Sequence, residues 1–396
     1  MRRRRGRKAG PRVVAEPVVG GWCDPAFGPL REEFRANFAE RAELGAAVCV
    51  LVRGTVVANL WGGWRDVARQ QPWTPDTLVN VFSVGKGLLA GCVTRLTGQG
   101  LLDVDAPVAR YWPEFSAAGK AAVTARQLLS HQAGVPAIRQ PLAPGSALDW
   151  SLLTRAVADE EPWWPPGSGH GYHVNTFGFA VGEVIKRVTG MTPGTLLQRE
   201  LAGPISADVH IGLASPEHPR VAQFIWGEAP AATSVPPVPA GNAEMAVRAY
   251  ANPPDFSGFG VVNTAAWRSA EIPSANAHAT ASGVARFYAA LAGGGVLDGY
   301  RVADTSALVA AVEEQVCGED LVLRRPSRFG LGFQLTQPER PLGHGPRCFG
   351  HFGAGGSVGF CDPDAGLAFG YVTSQMGPRW RNPRNRALMD ACNACL

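Results

Sequence analysis

The sequence predicts an α/β protein of the α+β kind: an antiparallel sheet flanked by helices and built from both chain ends, with a mostly helical domain inserted between them. Three observations carry this. Ala46 to Gly62 reads as two β-branched runs around an Arg53-Gly54 turn, which is a hairpin signature. Ser357-Val-Gly-Phe-Cys361 and Leu367-Ala-Phe-Gly-Tyr-Val-Thr373 flank Asp362-Pro-Asp-Ala-Gly366 as a second hairpin near the other end. Residues 101–200, rich in Pro and Trp, alternate helix and loop and offer no strand pair. The implied division is a disordered basic tail at 1–16, a sheet-containing domain from 17–100 and 205–396, and an inserted helical domain at 101–204, with the active site between the two domains.

Taken in order, the first hairpin opens the fold. From Ser83 the pattern turns helical, with Val84, Leu88, Leu89, Cys92, Val93 and Leu96 covering most of the circumference and Gly98 and Gly100 closing it, so this helix should be buried. An amphipathic helix is expected from Phe177 to Thr189, ending before Gly190. The Pro-rich stretch 229–242 reads equally as an active-site flap or a surface crossing.

At 396 residues, 46% apolar and 18% charged, the chain has ample core and does not belong to the disordered class. The formal charge of +4 includes six positive charges from Arg2, Arg3, Arg4, Arg5, Arg7 and Lys8, which leaves residues 9–396 at −2. A folded body near neutrality has no basic stripe to track a phosphate backbone, so no nucleic acid is expected as partner. No run approaches the ~18 apolar residues of a membrane span, and no apolar h-region follows the basic start, so no membrane association and a cytoplasmic location are expected. The eight cysteines are scattered, and the Cys392/Cys395 pair has no second pair at zinc spacing, so neither metal nor cofactor is expected.

Three segments carry chemistry. Ser83-Val84-Gly85-Lys86 sets a hydroxyl and an amine three residues apart on one face of the buried helix start. Serine needs a neighbour to take its proton, and an amine serves only when desolvation lowers its pKa. Of the 37 lysines and arginines only Lys8, Lys86, Lys120 and Lys186 are lysines, so the use of lysine at 86 is pointed: a guanidinium cannot be deprotonated. The second segment is Pro166-Gly167 leading to Tyr172, His173, Val174 and Asn175, where Tyr172 either shares the proton shuttle or is a buried tyrosine, with Asn175 capping the next helix. The third, Phe349-Gly-His351-Phe352-Gly353-Ala354-Gly-Gly356, is glycine-dense at an expected strand start, where a backbone N–H can approach a substrate oxygen.

Together these segments resemble the serine β-lactamase and penicillin-binding protein superfamily, in its class C β-lactamase-like branch, which includes the family VIII carboxylesterases. Leu101-Leu-Asp-Val-Asp-Ala-Pro-Val108, Tyr111-Trp-Pro-Glu-Phe115 and Gln127-Leu-Leu-Ser-His-Gln-Ala-Gly134 match in order and spacing as well. The resemblance implies an acyl-enzyme formed on Ser83, proton movement by Lys86 and Tyr172, and an oxyanion hole from the N–H groups of Ser83 and Ala354. His351, Phe352, Gly353 and Asn175 become the substrate-binding set, and His131 a structural turn beneath the site.

Two departures matter. His351-Phe352-Gly353 stands where the β-lactamases and carboxypeptidases carry Lys-Thr-Gly, and Val174 stands where they carry asparagine. Both point to a carboxylesterase on neutral small esters, the alternative being an acyltransferase of natural-product biosynthesis with an alcohol or amine acceptor. A β-lactamase or a noncatalytic scaffold is a further reading. A small-molecule ester or acyl donor is the expected partner, and the sequence sets no oligomeric state. Gly355-Gly-Ser357-Val-Gly359 satisfies the G-x-S-x-G pattern of a different esterase fold, but that elbow needs a helix after the serine, and here a strand follows.

Overall fold

The computed structural model describes residues 19–226 and 243–396, so the basic tail 1–16 and the Pro-rich segment 229–242 lie outside the described residues. Strand β1 (Val19–Cys23) and helix α1 (Gly28–Glu40) precede the expected hairpin of β2 (Gly45–Val52) and β3 (Thr55–Gly63). Helix α1 has no counterpart in the sequence reading. Only Leu30, Phe34 and Asn37 are buried along it, so its apolar periodicity is thin. Those two apolar side chains, at roughly 1.5–3 kcal/mol each, are what dock it.

Helix α2 (Val84–Gly98) and helix α3 (Thr176–Thr189) lie where the periodicity places them, and α3 ends at Gly190 with φ +72°. Helix α4 (Ala281–Ala292) is followed by β4 (Val316–Glu319), β5 (Pro326–Phe329), β6 (Gln334–Leu335), β7 (Phe349–Phe352), β8 (Val358–Asp362), β9 (Leu367–Thr373) and helix α5 (Pro383–Asn393). The nine strands form one sheet in the order β1-β3-β2-β9-β8-β7-β6-β5-β4, every neighbouring pair antiparallel. Both chain ends meet at its centre, where β9 pairs with β2 from Leu367 opposite Val52 to Thr373 opposite Ala46. Among the described residues none between 101 and 204 belongs to a strand.

The pleat sends alternate residues to opposite faces. Ala47, Cys49 and Leu51 of β2 join the core formed with α2 and α4, while Ala46, Val48 and Val50 pack with Leu30, Phe34, Leu388 and Met389 from α1 and α5. Helix α2 is enclosed on nearly all sides. At Gly85 a Cβ would lie 2.2 Å from the carbonyl oxygen of Pro273, so the missing side chain is what lets the Pro273-Ser274 turn press against the first turn of α2. This contact sets one wall of the site.

Candidate active site

Ser83 sits at the mouth of α2, following Phe82, whose φ of +49° is a left-handed conformation rare for a bulky residue. The Ser83 side chain caps no backbone N–H of the helix. Its Oγ lies 3.1 Å from Lys86 Nζ and 3.4 Å from the Ser274 carbonyl oxygen. Lys86 is fully buried, and Nζ also reaches the carbonyl oxygens of Val174 at 2.6 Å and Ser274 at 3.3 Å. Burial pulls the amine well below the ordinary lysine value. Nζ thus donates to three acceptors, the carbonyl oxygens of Val174 and Ser274 and the Ser83 Oγ.

Tyr172 is fully buried, its ring centroid 4.7 Å from Lys86 Nζ. Burial pushes its phenol well above the ordinary tyrosine value, and the nearby Ser83 hydroxyl works against that shift. His351 Nε2 lies 3.5 Å from the phenol oxygen, while Nδ1 faces the Phe352 carbonyl at 2.7 Å, which fixes the ring proton on Nδ1 and leaves Nε2 an acceptor. Burial pulls the His351 pKa down to about 3, so the imidazole is neutral.

Ala354 follows β7. A Cβ on Gly353 would lie 2.2 Å from the Val81 carbonyl oxygen and 3.3 Å from Val84 Cγ2, so this glycine lets the strand end close onto the start of α2. The amide N–H groups of Ser83 and Ala354 donate to no protein acceptor among the described residues.

The segment Phe349–Gly356 opens on β7 as expected, and its last three glycines follow the strand. Two sequence expectations are corrected here. Phe352 does not flank the site: successive residues of β7 point to opposite faces, so with His351 toward Tyr172 the Phe352 ring joins Leu30, Phe34 and Met389 in the core under α1 and α5. Asn175 precedes α3 without capping it, and its Nδ2 donates to the Ala249 carbonyl and to Ser257 Oγ. His131, at φ +64°, is fully buried in a turn with its ring centroid 5.0 Å from that of Tyr172, and its Nδ1 accepts from the His173 N–H. Ser357 is buried ahead of β8, where its Oγ accepts from the Thr373 N–H at 3.2 Å.

The sequence reading missed Asp320. Its buried carboxylate accepts from the N–H groups of Tyr172, Val322 and Leu323 and from Ser327 Oγ, so it fixes the backbone that carries the phenol. It also missed the Ser274 carbonyl and Trp380, whose ring packs 5.3 Å from Tyr172. No local pattern marks these contacts.

Ser83, Lys86 and Tyr172 thus lie together at the start of α2. The Beta-lactamase family matches residues 30–393. The chain belongs to that family. Along 371 residues it is 35% identical to the esterase/beta-lactamase LipL of Mycobacterium tuberculosis, covering 90% of this chain and 83% of the relative. Among solved structures, a family VIII carboxylesterase is 38% identical with a TM-score of 0.88, covering 96% of this chain and 100% of the other. A penicillin-binding protein homologue from Caulobacter crescentus is 40% identical at the same TM-score of 0.88 and the same coverage. This member of the Beta-lactamase family is therefore an enzyme, a serine hydrolase with a large antiparallel sheet flanked by helices. Among the described residues no group of three His, Cys, Asp or Glu side chains is placed to hold a metal, and no helix is long and apolar enough to cross a membrane.

Proposed function

We propose that the protein is a carboxylesterase that works through an acyl-enzyme on small esters with an uncharged acyl group. One observation carries the reading: Lys86 Nζ is fully buried, has no carboxylate partner among the described residues, and lies 3.1 Å from Ser83 Oγ. Neutral Lys86 takes the Ser83 proton as Oγ attacks the ester carbonyl, and the Ser83 and Ala354 N–H groups receive the developing oxyanion. Tyr172 gives its phenolic proton to the departing alkoxide, and the Lys86 ammonium beside it passes the proton taken from Ser83 to the phenolate, so both groups regain their starting forms. Water then repeats the sequence on the acyl-enzyme.

His351, beside Tyr172, is neutral where carboxylate-binding relatives carry a lysine, so this position offers no cation to a carboxylate next to the scissile bond. The names of the LipL relative and of the carboxylesterase neighbour support ester chemistry. A fluorophosphonate probe tests the mechanism: Ser83→Ala should abolish labelling and Ser357→Ala should keep most of it. An adduct mapped by mass spectrometry to Ser357 would overturn the assignment.

A further inference from the structure

Beyond Tyr172 the site continues into an incomplete ion pair. The Arg325 guanidinium lies 5.0 Å from the centroid of the Trp380 indole, the ring that packs against Tyr172. Arg325 is half-buried, and among the described residues its guanidinium meets no carboxylate and donates no hydrogen bond. The chain shows what a completed version looks like. Arg139 lies 3.9 Å from the Trp163 centroid and is closed by the carboxylate of Glu160, and the buried Arg384 has Glu43 at 3.1 Å.

The nearest acid offers no closure at Arg325. Asp320 acts on it at a distance, but its two oxygens already serve Tyr172, Val322, Leu323 and Ser327. The other charges are of the same sign. Arg379 repels Arg325, and Arg340, pulled down to about 10 chiefly by burial, feels the Arg325 charge as well. The phenol of Tyr250, on the helix Ala243–Ala251, faces the same charge. A half-buried cation without a counter-ion carries a desolvation penalty, and an incoming anion relieves it.

The side of the carbonyl follows from Tyr172. On the acyl-enzyme reading above, on which this inference rests, Tyr172 hands its proton to the departing oxygen, so the leaving alcohol lies on the Tyr172, Trp380 and Arg325 side. We propose that Arg325, stacked on Trp380, anchors a carboxylate carried by the leaving alcohol, so that the preferred substrates are esters joining a small uncharged acid to a hydroxy acid. Acylation then makes the bond from Ser83 Oγ to the acyl carbon and breaks the ester C–O bond. The Tyr172 proton ends on the departing oxygen, the serine proton replaces it by way of Lys86, and the anchored carboxylate is unchanged.

Phenyl butyrate and 3-carboxyphenyl butyrate form the same butyryl-enzyme and differ only in the charge of the leaving group. The wild-type enzyme should show a kcat/KM advantage of roughly ten- to hundredfold for the carboxylated ester, in line with a charge-assisted bidentate pair. Arg325→Gln should lower the carboxylated ester at least tenfold more than the neutral one, and Arg325→Lys should keep part of the advantage because it retains a point charge without the fork. No wild-type advantage, or an equal loss on both esters, overturns the proposal. Calorimetric binding of 3-hydroxybenzoate to Ser83→Ala, compared with Ser83→Ala combined with Arg325→Gln, decides the site without turnover: binding lost with the arginine supports it and equal binding overturns it. If Ser83→Ala hydrolysed both esters at the wild-type rate, the Ser83 mechanism would fall while the binding comparison still judged Arg325.

Discussion

The amide N–H of Tyr172 points between the two carboxylate oxygens of Asp320, at 3.0 and 3.2 Å, from a residue 148 positions further along the chain. This bond makes Asp320 a positioning residue for the phenol. Asp320→Asn keeps the shape but turns one acceptor into a donor facing N–H groups. Each lost bond to a charged acceptor is worth about 1.5–3 kcal/mol. The expected result is a kcat at least tenfold lower with KM within about threefold, because substrate contacts are kept while the proton donor is displaced. A loss confined to melting temperature, with kcat preserved, would make Asp320 merely structural.

Lys86 must be neutral to act as a base, so kcat/KM should rise with pH and level off once Lys86 is deprotonated. Its burial predicts an inflection well below the ordinary lysine value. Lys86→Arg keeps the charge and removes the neutral form, and the expected loss is about 10²- to 10⁴-fold or more. Activity within tenfold of wild type, or an inflection near the ordinary lysine value, would reduce Lys86 to an electrostatic role.

Buried histidines should make the fold acid-labile. His173, His278 and His351 are held neutral by burial, with pKa values pulled from 6.5 to about 4, 3 and 3. Above pH 6.5 neither folded nor unfolded chain protonates them, and they contribute no pH dependence. As pH falls below 6.5 the unfolded chain takes up protons that the folded chain refuses, so stability drops by about 1.4 kcal/mol per pH unit for each until the folded pKa is reached. Glu160 and Glu271, raised by burial, act in the opposite sense nearer the carboxylate range and reduce the slope there. Urea denaturation at pH 7, 6 and 5 checks this, and a midpoint that holds or rises on acidification would contradict it.

A carboxylate fixed beside the scissile carbonyl finds no cation at His351. Nitrocefin should therefore be turned over with a kcat/KM at least tenfold below that for p-nitrophenyl butyrate. A value equal to or above the ester's would identify a β-lactamase with an unorthodox third segment.

Ser83, Lys86 and Tyr172 were legible because each lies in a local pattern whose chemistry is readable residue by residue. Hairpin and helix periodicities likewise placed α2, α3 and the pairing of β8 with β9. Helix α1 was illegible because two buried apolar residues are too few to mark a face. Phe352 was misplaced because its neighbourhood in sequence says nothing of which pleat faces the nucleophile, and the order of the strands decides that.

The sequence by itself determined that Ser83 and Lys86 share the start of a buried helix and that the hairpins form, since covalent spacing on a helix or across a tight turn fixes which side chains share a face. Only the tertiary structure decided that Asp320 holds Tyr172, that the Val174 and Ser274 carbonyls hold Lys86, and that Arg325 lies against Trp380 with no counter-ion among the described residues. Those relationships join segments tens to hundreds of residues apart. They arise where the packed core must satisfy buried polar groups with whatever the folded chain brings within reach.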